Sequence, residues 1–400
     1  MNRGLLYLSY DGMLEPLGQS QVLAYLERLA AERTIHLVSF EKPEDLADQP
    51  ARARVAQRIA MSGIHWHPLR YHKRPSALAT AYDILAGITI GSWLARRHGL
   101  GIVHARSYVA AVMALAIKRL SGARFVFDMR GFWADERVDG HIWPAGSRLY
   151  RLAKGFERRF LLAADHVVSL THAGVREMVR FDYLADRQPP FTVIPTCADL
   201  NRFRPAAERQ PARAAGGFTL GYVGSAGTWY LFDVVAACFK QLLKLRPEAR
   251  LLVINRGEHA YIQQVLAAAG VPAAAVELRS ADHAQMPAQM ARMDAGIFFI
   301  RPVFSKQASA PTKLAELLGC GIPCLANAGV GDMAQILEGE RVGVALRGFD
   351  AADLDAGLRR LLALCNEPQL AARCAATAQR HFSLDEGVAR YRHIYQELQP

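Results

Sequence analysis

At 400 residues the chain is too long for one ordinary hydrophobic core, and two domains of about 150–200 residues are the natural division. Its 51% hydrophobic and 21% charged content excludes a disordered chain, and the apolar runs stop short of the roughly 18–20 residues that span a bilayer. The net charge of +11 asks for an anionic partner. The basic residues are dispersed, without an aromatic–basic recognition module, so a phosphate-bearing substrate or an anionic membrane face fits better than nucleic acid.

In chain order, the first residues lead directly into an apolar strand at 4–10, without a signal-peptide layout, so a cytoplasmic location is expected. Further strands are expected at 34–40, 63–69, 101–107, 124–130, 166–171 and 191–196, with helices at 19–32, 109–120 and 147–163 among those between them. The stretch 77–94 is interrupted by Thr80, Asp83 and Thr89 and reads as a buried or interfacial helix. This alternation predicts an α/β, doubly wound, mostly parallel sheet, whose ligands bind at the carboxyl ends of the strands. A second series follows at 217–224, 250–257, 275–280, 295–302, 323–329 and 343–348. The expected division is an N-terminal domain at 1–197, a linker at 198–216, a C-terminal domain at 217–381, and a final amphipathic helix at 382–400. The six cysteines show no metal-ligand spacing and read as reduced core thiols.

Several segments carry chemistry. The loop after the first strand holds Gly12 and Gly18, which permit close backbone approach ahead of a helix beginning near Gln19. Asp128, Arg130, Trp133, Asp135, Glu136, Arg137 and Asp139 crowd behind one strand, where carboxylates could bind hydroxyls, arginines an anion, and Trp133 a sugar face. Arg148, Arg151, Lys154 and Arg158 recur on one helical face, with Leu149, Leu152, Phe156 and Phe160 opposite. That is either a solvated face or one that docks to anionic lipid. Gly224, Ser225 and Gly227 form a turn between a strand and a helix, suited to phosphate, although no basic residue lies between Arg213 and Lys240. Ser309 is a candidate N-cap with Pro311 in the first turn. Lys313 then places a cation against the helix dipole, which costs about 0.3–1 kcal/mol unless a bound phosphate offsets it. Glu316 shares its face and suits ribose hydroxyls.

Together the motifs YDGMLEPLGQSQ, FDMRGFWADERVDG, VIPTCADLNRF, GYVGSAGTWY, SAPTKLAELLGCGIP and NAGVGD occur in an order that resembles a family 4 (group 1) retaining glycosyltransferase of the GT-B fold. The resemblance implies two facing Rossmann-like doubly wound domains with a C-terminal helix crossing back to the first. It implies transfer of a sugar from a nucleotide-diphosphate donor (a UDP or GDP sugar) with retention, without a metal or cofactor. The donor belongs on the second domain. A saccharide or lipid-linked acceptor belongs on the first, in surface polysaccharide or glycan assembly, peripheral to the inner face of the membrane.

By the same resemblance, Gly18 lies over the donor phosphates, and Arg106 and Arg130 stand where relatives carry a histidine near the reaction centre. Lys313, Arg130, Asp128 and Arg106 become the catalytic candidates. Lys313, then Arg301 and Arg256, would neutralise the diphosphate. Glu316 would hold the ribose, and Arg279 ends the strand before the nucleobase segment. The family's first acidic residue, eight positions earlier, is replaced by Ala308, leaving the backbone around Ser309 and Thr312 to contact the donor sugar. Trp133, Asp135, Glu136 and Arg137 would face the acceptor. A nucleotide-sugar epimerase and a non-catalytic glycosyltransferase-like subunit remain alternatives at this stage.

Overall fold

The computed structural model describes residues 4–206 and 217–399. The chain forms two compact units, one of Met1–Pro195 with Leu384–Pro400 and the other of Thr196–Ser383.

The first unit is built on a seven-stranded parallel sheet. Its strands are β1 (Leu5–Ser9), β2 (Ile35–Glu41), β3 (His65–Arg70), β4 (Ile102–Arg106), β5 (Arg124–Asp128), β6 (His166–Ser169) and β7 (Phe191–Val193), ordered β3-β2-β1-β4-β5-β6-β7. The central strands are buried along their whole length because helices cover both faces, which is why LLYLS and IVHAR carry apolar residues on both sides of the pleat. The chain order reverses between β1 and β4, which pair with Leu5 opposite Ile102 and Ser9 opposite Arg106. Their carboxyl ends therefore flank the crevice where such sheets take ligands.

The second unit repeats the plan with β8 (Phe218–Val223), β9 (Ala249–Ile254), β10 (Val276–Arg279), β11 (Ala295–Ile297), β12 (Cys324–Asn327) and β13 (Gly343–Leu346), ordered β10-β9-β8-β11-β12-β13. Its reversal falls between β8 and β11, whose register sets Ala295 opposite Leu220. Ala198 and Phe203, in the expected linker, are core residues of this unit, while 207–216 lie outside the described residues.

The C-terminus carries the expected final helix, which starts two residues later than 382. Helix Leu370–Phe382 ends at Ser383, which is extended (φ −63°, ψ 129°), and a new helix, Leu384–Glu397, begins after it. The first belongs to the second unit and the last to the first unit. There Tyr391 Oη donates to Asp128 Oδ2 at 2.9 Å, Tyr395 Oη lies 2.7 Å from His104 Nδ1, and Arg390 Nη1 donates to the Val193 carbonyl at 2.7 Å.

Candidate functional site

The loop after β8 is tied from below by a residue the sequence reading passed over. Glu258, half-buried beyond β9, accepts hydrogen bonds from the backbone N–H groups of Ala226 (2.9 Å) and Gly227 (3.0 Å), and from Asn255 Nδ2 (2.8 Å). The Gly227 amide, in the turn expected to cradle a phosphate, is thus already bound to a carboxylate, as is the neighbouring Ala226 amide. Burial raises the Glu258 pKa, but these hydrogen bonds and Lys313 outweigh it and hold the carboxyl below its ordinary value. Ser225 is exposed at the tip, and its carbonyl accepts from Tyr222 Oη. A similar tie exists in the first unit. Buried Glu41, at the end of β2, accepts from Met13 N at 2.8 Å and Leu14 N at 3.1 Å in the loop after β1.

Lys313 is the central charge of the second unit. It sits in the first turn of helix Thr312–Gly319 and is only 7% exposed, so the solvated surface lysine is excluded. Its Nζ has no hydrogen-bond partner. The ammonium lies 3.7 Å from the Tyr230 ring centroid, 4.9 Å from that of Tyr222 and 5.4 Å from that of Phe298. Gly224 (φ +94°) adjoins it, since a Cβ there would stand 3.3 Å from Nζ. The fold therefore brings the glycine loop and the distant lysine together. Burial brings the Lys313 pKa down to about 7 against the opposing pull of Glu316 and Glu258. Burial likewise raises Glu316 to about 7, against Lys313 and Arg202.

The remaining donor candidates separate. Ser309 does not cap the helix. It lies ahead of the N-cap, Pro311, which is extended and makes no side-chain cap, and Thr312 opens the helix. A proline N-cap has no side-chain acceptor for the first-turn amides. Ala308, at the position of the missing acid, is buried. Arg256 is exposed and paired with Asp282 at 2.5 Å, and exposed Arg279 pairs with Glu277, so each has a carboxylate partner at the surface. Half-buried Arg301 is fixed through its backbone N–H to the Trp229 carbonyl at 2.9 Å. Lys306, which sequence reading missed, is buried with its Nζ 3.8 Å from the Trp229 ring centroid, so that indole is covered on one side by a cation.

In the first unit, Gly18 packs against the chain, since a Cβ there would come 2.0 Å from the Gly12 carbonyl oxygen. Its glycine is required for loop closure. Arg106 is 4% exposed at the β4 carboxyl end, with Nε 3.2 Å from Asp11 Oδ2 and Nη1 unpartnered. Ser107 (φ 68°) and Arg130 (φ 59°) adopt left-handed backbone at the ends of adjacent strands, strain that concentrates at functional positions. Asp128, expected to serve catalysis, is turned inward and corrects that assignment. It accepts from Tyr391 and lies 3.6 Å from His104 Nε2 and 3.9 Å from Arg130 Nη1. Burial raises its pKa, but Arg130 and His104 outweigh that and leave it lowered. His104 is fully buried on its strand, as expected.

The acceptor cluster is partly structural. Asp135 accepts from Tyr150 Oη (2.9 Å) and Lys154 Nζ (3.0 Å), and is thereby removed from the set that could face a sugar. Arg137 lies over the half-buried Trp133, 5.0 Å from its ring centroid, and Glu136 is half-buried in the same short helix, Trp133–Asp139. Lys154 also pairs with buried Glu157 at 2.5 Å, so it is drawn inward and leaves the basic face formed by Arg148, Arg151 and Arg158. Leu149 and Leu152, expected to pack inward, are exposed beside those arginines, because helix Arg148–Ala163 buries only Glu157, Phe160 and Leu161.

Comparison with known proteins agrees with this architecture. Residues 18–197 match the glycosyl transferase 4-like domain model, whereas none of the curated proteins matches the chain in sequence. A sucrose-phosphate synthase from Thermosynechococcus elongatus superposes with a TM-score of 0.74 at 15% identity, covering 99% of each chain. A glycosyltransferase from Rickettsia africae gives 0.72 at 13% identity, covering 100% of this chain and 99% of the other. Anabaena HepE, solved in complex with UDP and glucose, gives 0.68 at 14% identity, covering 98% and 99%. The two Rossmann-like sheets of seven and six parallel strands are those of the GT-B fold, and residues 18–197 carry the likeness to glycosyl transferase 4-like domains.

Proposed function

We propose that the protein transfers a sugar from a nucleoside-diphosphate donor, with retention and without a metal, to a saccharide or lipid-linked acceptor. The observation that carries this reading is the unpartnered, buried Lys313 ammonium beside Gly224. An uncompensated cation in an apolar setting costs stability, and a diphosphate would supply the missing counter-charge. As the glycosidic bond to the donor phosphate breaks, negative charge grows on the leaving oxygen. A cation already desolvated and fixed at that point stabilises the charge more than water could. Glu316 would take the ribose hydroxyls, and Ser309 and Thr312 would offer backbone groups to the donor sugar. In a retaining reaction the departing phosphate can accept the proton of the attacking hydroxyl, so no side-chain base is needed. Arg106 and Arg130 would hold the acceptor side, with Trp133, Glu136 and Arg137 around it. That HepE was solved with UDP and with UDP-glucose favours a UDP sugar as the first donor to try.

The test is a thermal-shift panel of UDP, GDP, ADP and CMP sugars, followed by product analysis in the presence of a chelator. One nucleotide class should raise the melting temperature, and the product should keep the donor's anomeric configuration. An inverted product, activity abolished by the chelator, or a donor shift of full size in Lys313→Ala would overturn the reading. Isomerised donor without any acceptor would favour the epimerase alternative.

A further inference from the structure

The first unit has one helix layer whose outer surface is apolar and cationic at once. Helix Ser76–Arg97 joins β3 to β4, helix Ser107–Ser121 joins β4 to β5, and helix Arg148–Ala163 lies between β5 and β6. All three connections run the same way across the sheet, so right-handed crossovers set them on one face. The middle helix packs against both others. The opposite face carries helix Ala24–Leu29, against which the C-terminal helix packs.

Helix Ser76–Arg97 is apolar on both sides. Inward, Gly87 and Gly91 allow close approach to the middle helix, where added Cβ atoms would meet Met113 Sδ at 2.4 Å and Ile117 Cδ1 at 2.5 Å. Outward, Leu78 (72% exposed), Tyr82 (61%), Leu85 (64%) and Trp93 (59%) recur at helical spacing and form one stripe. At 1.5 Å per residue that stripe is about 22 Å long. It begins just after exposed Lys73 and Arg74 and ends at exposed Arg96 and Arg97. On the same layer, exposed Leu149 and Leu152 alternate with Arg148 and Arg151. The only carboxylates in the three helices, Asp83 and Glu157, are fully buried, the first paired with His72 and Tyr10 and the second with Lys154 and Tyr108.

We propose that this layer docks the first unit onto an anionic lipid bilayer, with the Leu78–Tyr82–Leu85–Trp93 stripe lying in the headgroup plane. The helix has the length and hydropathy of a membrane span. Its glycine-mediated packing on the middle helix nevertheless keeps it in the domain, so it lies on the bilayer and does not cross it. Tyr and Trp suit the headgroup region, where an apolar body and a polar tip are both satisfied. Each exposed arginine strengthens attraction to an anionic surface. Charge also selects the occupant. A second copy would bring the same arginines face to face, without an exposed carboxylate from these helices to separate them, whereas anionic lipid neutralises them. The inference does not depend on the donor site.

Cosedimentation with vesicles of phosphatidylcholine containing about 30% phosphatidylglycerol, against phosphatidylcholine alone, tests it directly. Binding should require the anionic lipid and weaken on going from about 0.1 M to about 0.5 M salt. The double variant Leu85→Glu/Trp93→Glu should bind about tenfold more weakly or worse, and Arg96→Glu/Arg97→Glu/Arg151→Glu should lose the anionic preference. All three proteins should keep the same nucleotide-induced thermal shift, which separates this outcome from failure of the donor site or of folding. Absence of wild-type binding, equal binding to both vesicles, or full binding by the folded double variant would overturn the proposal. So would a wild-type dimer in solution that the double variant turns into a monomer, since the stripe would then be a contact between copies.

Discussion

Lys313 Nζ stands 3.7 Å from the centre of the Tyr230 ring. Without an anion the π-face of that ring is its nearest compensation, joined at longer range by Tyr222 and Phe298. Cation–π contacts recover about 0.5–2 kcal/mol, less than removing an ammonium from water costs. The lysine is therefore held without full compensation, at some expense in stability.

That balance gives opposite signs for stability and binding. Lys313→Met keeps the stem volume and removes the charge, so the free protein should become more stable by about 1–3 kcal/mol. Nucleoside-diphosphate affinity should fall about 10- to 100-fold, the worth of a charge-assisted phosphate contact. Chemical denaturation and titration calorimetry measure the two. A variant both less stable and equally able to bind would remove Lys313 from the donor site.

Titration of the same lysine makes binding pH-dependent. A bound diphosphate favours the charged form, so it raises the Lys313 pKa from its free value of about 7. Affinity should be constant below pH 7 and then fall by up to about tenfold per unit as the free lysine loses its proton. At pH of about 8, calorimetry in buffers of different ionisation enthalpy should show proton uptake, and Lys313→Arg should abolish it. The stability of the free protein follows by linkage. The lowered Lys313 pKa means that its contribution improves as pH rises from about 7 towards the ordinary lysine value. The raised Glu316 pKa means that its contribution is full below the ordinary carboxyl value and is lost as pH rises through about 7.

Glu258 offers a test of loop support. If its carboxylate shapes the loop by holding two amides, Glu258→Gln, which can accept from only one of them properly, should weaken donor binding about 3- to 10-fold. Were its charge merely repelling the donor, the same change would tighten binding. Glu41→Gln should destabilise the first unit by about 1–3 kcal/mol, because Glu41 is buried and its two amide partners would be left short of an acceptor. Equilibrium unfolding would register this, and an unchanged midpoint would contradict it.

The C-terminal helix should depend on two hydroxyls. Tyr391→Phe and Tyr395→Phe strip buried partners from Asp128 and His104, at about 1–3 kcal/mol each. Hydrogen exchange should quicken along 384–397 in both variants, while the nucleotide-induced thermal shift is retained. Slow exchange in the double variant would mean that apolar packing alone holds the helix.

Much of this molecule is written locally and was legible in the sequence. All thirteen strands overlap the segments read from apolar runs, because a buried parallel strand needs apolar residues on both faces; most agree within a residue or two at each end, while β7, β9 and β11 end three to five residues earlier than read. Two successive runs of that pattern, with five motifs in order, were enough to point to the GT-B fold, and the lysine against its helix dipole singled out the helix that buries it.

Only tertiary structure decided what each charge is for. Asp128 and Asp135 look like substrate ligands in a polar stretch, yet Tyr391, more than two hundred and fifty positions away, and Tyr150 with Lys154 occupy them. Glu258 and Glu41 look like surface acids, yet each holds a glycine loop that a neighbouring strand brings to it. Periodicity records which side of an element is apolar. It does not record which distant group arrives to satisfy a buried charge, and in this fold that arrival is set by strand order.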